Sequence, residues 1–103
     1  MAVYRGTRVF PGGITKDGVP LSPVRSQAVV NHSEAFEWGY GGSGPAQLSL
    51  ALLLEEKDEE TAREHYQEFK WEVVAIMPNT WELTSEKIQE WLKSREQVTS
   101  GRP

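Results

Sequence analysis

The segment Phe36-Glu37-Trp38-Gly39-Tyr40-Gly41-Gly42-Ser43-Gly44-Pro45-Ala46-Gln47-Leu48 constrains the fold more than any other part of the chain. Four of its glycines fall within six residues. Each gives up side-chain packing and adds to the entropic cost of folding, so they belong where positive φ or close backbone approach is required. Pro45 has a preset φ and no N–H, which suits the first position of a helix, and Ser43 or Gly44 can cap it. Phe36, Trp38 and Tyr40 share one parity of an extended chain. The segment therefore predicts an aromatic strand over residues 35–40, a tight glycine turn, and a helix from Pro45 to about Glu56.

That helix carries Ala46, Leu48, Leu50, Ala51, Leu52, Leu53 and Leu54 with scarcely any polar stripe, the pattern of a helix enclosed by other elements. Asp58 is placed to cap a second helix, with Glu59 and Glu60 in the first turn, where the helix dipole favours acids. Ala62, Tyr66, Phe69, Val73 and Ile76 give it one apolar stripe, and Met77-Pro78-Asn79 ends it because proline disfavours helical geometry before it. Trp81-Glu82-Leu83 reads as a short strand or turn. Thr84 can cap a third helix with Ile88, Trp91 and Leu92 on one face.

Upstream, residues 2–10 are β-branched and aromatic with Gly6 in the middle, which suits an edge strand with a bulge or bend. Pro11-Gly12-Gly13 forces a turn, and Asp17-Gly18 between short apolar segments is a two-residue hairpin signal. Residues 24–30 read as another extended piece. Strands first and helices after make an α+β domain over residues 1–97. Its small antiparallel sheet comprises the N-terminal strands, the hairpin and the aromatic strand, packed on about three α-helices. Residues 98–103 read as a flexible tail.

With 103 residues, 38% hydrophobic and 25% charged, one compact core is expected. The absence of cysteine excludes disulfides, thiolate zinc sites and a cysteine nucleophile. Together with the lack of a signal-length or membrane-length apolar run, it makes the cytoplasm the expected compartment and gives no membrane association. The net charge of −4 lies in the second half: residues 1–50 hold four basic and three acidic side chains, residues 51–103 seven and twelve. Nucleic-acid binding is disfavoured unless Arg5, Arg8, Lys16 and Arg25 form a local patch. Two histidines without cysteine make a transition-metal site improbable, and no metal or cofactor is expected. Glu59, Glu60 and Glu64 read as a charged face rather than a Mg²⁺ or Ca²⁺ site, and His65 as solvated surface beside Glu64 and Glu68.

Three candidate sites remain. The amides of Gly41, Gly42, Ser43 and Gly44 at a helix start can form a nest for an anion or oxyanion. Their spacing matches neither a phosphate loop nor a dinucleotide fingerprint, so a purely architectural turn is the favoured reading. His32, Glu37 and Tyr40 are the weak catalytic candidates, an acid–base set beside the Ser43 hydroxyl, but nothing in the sequence fixes their mutual geometry. Trp38, Tyr40 and Trp71 are the candidates for contact with a protein partner, where Trp and Tyr dominate energetics. Trp71 stands out because it lies off the apolar stripe of its helix. A non-catalytic protein-binding or regulatory module leads. The alternative is an enzyme or small anionic-ligand binder built on the Gly41–Gly44 loop.

The run Asn31-His32-Ser33, the glycine motif from Phe36 to Leu48, and Tyr66-Gln67-Glu68-Phe69-Lys70 together resemble a family of small bacterial and phage-related proteins known only as a domain of unknown function. The resemblance extends from about Tyr4 to Leu92. It implies a single cytoplasmic domain, carries over no catalytic residue or cofactor, and by analogy suggests binding to a host protein.

Overall fold

The computed structural model describes residues 1–100, with side chains as far as Arg95. In chain order the elements are β1 (Val3–Thr7), β2 (Gly13–Lys16), β3 (Val19–Pro20), α1 (Val24–Val29), α2 (Ser43–Glu56), α3 (Glu59–Glu72), a 3₁₀ turn (Val74–Ile76), β4 (Thr80–Thr84) and α4 (Ser85–Ser100). The four strands form one antiparallel sheet in the order β3-β2-β1-β4, and the α+β class read from the sequence is the one observed. Residues 98–100, read as the start of a tail, continue α4, and residues 101–103 lie outside the described residues.

Local chemistry explains most of the elements. Asp17 and Gly18, the two residues between β2 and β3, both have positive φ, as a turn matched to the right-handed strand twist requires. Asp58 stands at the N-cap of α3, its carbonyl accepting the Ala62 N–H at 3.0 Å, and the Thr61 hydroxyl, with the backbone N–H groups of Asp58 and Thr61, holds its carboxyl below the usual carboxylate range. The Thr84 hydroxyl accepts the Lys87 N–H at 3.2 Å to open α4. α2 is the central helix: residues 44–54 are all buried, and Leu48, Leu50, Leu52 and Leu53 are fully so. At roughly 2 kcal/mol per buried leucine side chain, this one helix supplies a large part of the apolar driving force.

Five expectations are corrected. The aromatic segment is not a strand. Gly39 has φ +86, its N–H donates to the Val74 carbonyl, and the Trp38 indole N–H donates to the Pro78 carbonyl, so these groups are spent on the 74–78 connection instead of a sheet ladder. Trp38 is consequently buried, Phe36 half-buried and Tyr40 exposed. The place taken from that segment is filled by β4, which pairs along all of β1, so β1 is an inner strand rather than an edge. Residues 24–29 form helix α1, begun by Pro23, whose carbonyl accepts the Gln27 N–H at 2.9 Å. α3 stops at Glu72, one turn earlier than the apolar stripe implied, which leaves Ile76 exposed. Finally, α2 is capped by the backbone of Gly42, not by Ser43 or Gly44, and has no side-chain cap.

Two polar clusters lock the elements onto α2. Near its start, the fully buried Gln47 amide is satisfied on every side: Nε2 donates to Ser26 Oγ at 2.9 Å and the Val30 carbonyl at 3.1 Å, while Oε1 accepts the N–H groups of His32 at 2.7 Å and Ser33 at 3.0 Å. At its end, the Glu56 carboxylate accepts the Tyr4 hydroxyl at 2.5 Å, the Ser85 hydroxyl at 2.7 Å and the Gln89 amide at 3.3 Å. Burial, and then the Glu56 carboxylate, push the Tyr4 phenol well above its ordinary pKa.

Candidate functional site

The glycine turn is occupied by the protein's own side chains. The Trp71 ring lies so close to Gly41 that an added Cβ would come within 2.2 Å of it, and Tyr40 covers Gly42 with a corresponding distance of 2.5 Å. The two rings remain partly exposed, Tyr40 at 52% and Trp71 at 59%, with Lys70 Nζ 4.4 Å from the Trp71 ring centroid. Glycine at these two positions allows close approach of the aromatic rings, whereas the sequence reading assigns the glycines to a tight turn from an aromatic strand into the helix.

The candidate acid–base residues are held by different partners. His32 Nε2 is 2.6 Å from the Tyr66 hydroxyl, on the α3 side of α2. Glu37 lies 3.8 Å from Arg8 Nη2, and the Tyr40 ring rests over Gly42. Each therefore has a local structural role in this arrangement.

A large concavity lies elsewhere. A groove of about 1370 Å³ opens between the sheet, the β1–β2 connection and the segment preceding the glycine turn. Ile14 and Trp81 form its apolar floor, Val9 and Phe10 one wall, and Phe36 and Trp38 another. Gly6 makes the floor possible: the Trp81 ring sits over it at a distance where a Cβ would meet the ring at 2.4 Å. Phe10 is 95% exposed at the rim, and Val9 beside it is also exposed. Trp81 is buried, and its indole N–H, shielded from solvent over Gly6, has no hydrogen-bond partner among the described residues. Trp38, edge-on to Trp81 with centroids 5.9 Å apart, has its own N–H satisfied.

Arg8 fixes the groove's shape. Its guanidinium stacks 4.6 Å from the Trp38 ring centroid, donates from Nη1 to Asn79 Oδ1 at 2.8 Å, and donates from Nη2 to the Trp38 carbonyl. One side chain thus joins the β1–β2 connection, the aromatic segment and the entry to β4. Planar, multidentate donation of this kind is available to arginine and not to lysine.

The four cations of the N-terminal half do not converge. Arg5 pairs with Glu82, Arg8 lies near Glu37, and Lys16 and Arg25 both reach Glu55. Arg5 and Lys16 also occupy adjacent registers with opposite parity, which places them on opposite faces of the sheet. His65, read as solvated surface, is instead buried, its ring edge-on to Trp91 with centroids 6.3 Å apart. α4 covers it, a long-range contact that the local sequence does not reveal. Among the described residues no group of His, Asp and Glu forms a metal-ligand cluster, and no helix is long and apolar enough to cross a membrane.

A family model, described as a family of unknown function (DUF6166), matches residues 4–94. The chain belongs to DUF6166. No curated protein and no solved structure matches the chain. For this DUF6166 protein the site must therefore be read from its own geometry. Of the residues singled out in the sequence, Trp38 and Glu37 line the groove, whereas Tyr40 and Trp71 cover the glycine turn. Val9, Phe10 and Ile14, which line the groove with Trp81, are not among the candidates read from the sequence. One signal was present: Val9 and Phe10 are two large apolar residues directly before Pro11-Gly12-Gly13, at a turn tip where polar residues are the norm.

Proposed function

We propose that this DUF6166 protein is a non-catalytic protein-binding module whose contact surface is the groove, and that a segment of a partner chain lies across it. The observation that carries this reading is the exposed Val9–Phe10 pair on the rim of an aromatic-floored groove. Its volume of about 1370 Å³ exceeds the roughly 300–1,000 Å³ typical of small-molecule pockets. Aromatic anchors of this kind dominate protein contacts. The alternative, an anionic ligand on the amides of Gly41 to Gly44, has less behind it, because Trp71 and Tyr40 already occupy that turn.

The test is a selection of random peptides on the immobilised protein, followed by titration of the recovered peptides against the Phe10→Ser variant. Loss of affinity by about tenfold or more, equivalent to about 1.4 kcal/mol, with an unchanged unfolding midpoint, is the expected result. Recovered peptides that bind the variant as tightly as the original protein would contradict the groove as contact surface.

A further inference from the structure

The two edges of the sheet are built differently. Around β3, the Leu21 N–H bonds the Ile14 carbonyl at 2.9 Å, and the register pairs Lys16 with Val19 and Thr15 with Pro20. Hydrogen-bonded pairs alternate along an antiparallel ladder, so Pro20 occupies the position whose backbone faces outward, where it has no N–H to offer. That edge is two residues long and closed.

Around β4 the alternation runs the other way. Arg8 N–H bonds the Asn79 carbonyl at 3.1 Å and Ser85 N–H bonds the Ala2 carbonyl at 2.9 Å, with Gly6 opposite Trp81 and Tyr4 opposite Leu83 between them. Trp81 and Leu83 therefore turn their backbone groups toward β1. Thr80 and Glu82 turn both N–H and C=O outward, and Thr84 its N–H. No backbone bond from these outward groups to another segment occurs among the described residues. Thr80 and Glu82 are exposed, and the strand carries neither proline nor lysine, the usual means of blunting an edge.

We propose that β4 is a strand-addition site, at which an extended segment of a partner protein pairs antiparallel with Thr80–Thr84 and carries a basic residue opposite Glu82. Charge selects the occupant. A second copy of the chain in the register that pairs all five residues would set Glu82 against Glu82, and like charges directly opposite are destabilising. A basic segment is complementary both to Glu82 and to a chain of net charge −4. The Arg5 pair at 2.9 Å does not preclude this, since both of its side chains are more than half exposed and such pairs are weak. On the other face, apolar residues flanking the cation would continue the row of Trp81 and Leu83. The edge borders the groove, whose lining includes Thr80, Trp81 and Glu82, while the ladder bonds themselves require only the outward backbone groups of β4.

The probe is the peptide acetyl-Ser-Thr-Val-Lys-Val-Thr-Ser-amide, titrated into the full chain by ¹H–¹⁵N NMR, beside the same peptide with Glu for Lys. Saturable shifts at the Thr80, Glu82 and Thr84 amides are expected with the lysine peptide, with affinity at least about fivefold weaker for the acidic one. Glu82→Pro, which copies the device of Pro20 at an outward position, abolishes the shifts. Should that variant unfold, Glu82→Lys inverts the preference between the two peptides. The same shifts in Phe10→Ser separate this site from the groove. Amides at these three positions that are strongly protected from exchange in the free protein, or shifts that spare β4 with both peptides, overturn the proposal.

Discussion

The glycine turn and the groove adjoin the same aromatic segment and differ in what they leave open. Around the turn, Trp71 and Tyr40 rest on Gly41 and Gly42, and Gln47 just beyond makes four hydrogen bonds to the Ser26–Ser33 stretch. Around the groove, by contrast, Phe10 projects almost entirely into solvent and Val9 beside it is exposed. Unusual sequence marks conformational demand. Unspent surface marks the capacity to bind, and in this protein the two lie in different places.

The largest effect is expected at Gln47. Gln47→Leu keeps the bulk but strands four buried or partly buried partners, and a loss of about 3–5 kcal/mol is expected from uncompensated polar groups, read as a lower urea midpoint. A loss below about 1 kcal/mol would mean that the start of α2 is not held by this amide. Next comes Gly41→Ala, whose Cβ would come within 2.2 Å of the edge of the Trp71 ring. The ring, already 59% exposed, should swing away from the turn, read as higher Trp71 exposure in fluorescence quenching.

Tyr4→Phe tests the opposite end of α2, where charge rather than an amide does the locking. At neutral pH a loss of about 1–2 kcal/mol is expected from removal of a hydrogen bond to a carboxylate. The pH dependence has a definite sign. The folded-state pKa of Tyr4 is raised, so its contribution is fully present below the unfolded value of about 10 and declines as pH rises above it. Lys16, raised by its hydrogen bond to Glu55, acts in the same direction over the same alkaline range. Tyr4→Phe should therefore flatten the alkaline fall in stability without abolishing it, as followed by thermal unfolding between neutral and strongly alkaline pH.

The smallest stability effects belong to the groove. Phe10→Ser should stay within about 0.5 kcal/mol of the original protein, because the ring buries almost nothing. The two tryptophans form an internal control. Trp38→Phe loses a satisfied bond to the Pro78 carbonyl and should cost about 1 kcal/mol from that term, whereas Trp81→Phe removes an unpaired donor and forfeits no such bond. Equal costs in differential scanning calorimetry would mean the two indole N–H groups are equally satisfied.

What was legible in the sequence is what local chemistry determines. The central helix, the caps at Asp58 and Thr84 and the Asp17-Gly18 hairpin depend on neighbouring residues, and each is found. The aromatic segment misled because its alternation suits a strand, while single bonds from Gly39 and Trp38 to Val74 and Pro78 satisfy it without one. β4 was underestimated for the converse reason: Thr80–Thr84 has little pattern of its own and becomes a strand by pairing with β1. The groove was invisible because its walls come from residues 9–10 and 36–38, brought together by the tertiary contacts of Arg8. His65 escaped for a similar reason, since its cover arrives from α4.

The most direct measurement maps a selected peptide on the ¹⁵N-labelled protein by chemical-shift perturbation. The Trp81 indole N–H and the backbone signals of Phe10, Ile14 and Phe36 are expected to move, while the amides of Gly41, Gly42, Ser43 and Gly44 stay in place. Shifts confined to those four amides, with the Trp81 indole signal unmoved, would contradict the groove as contact surface.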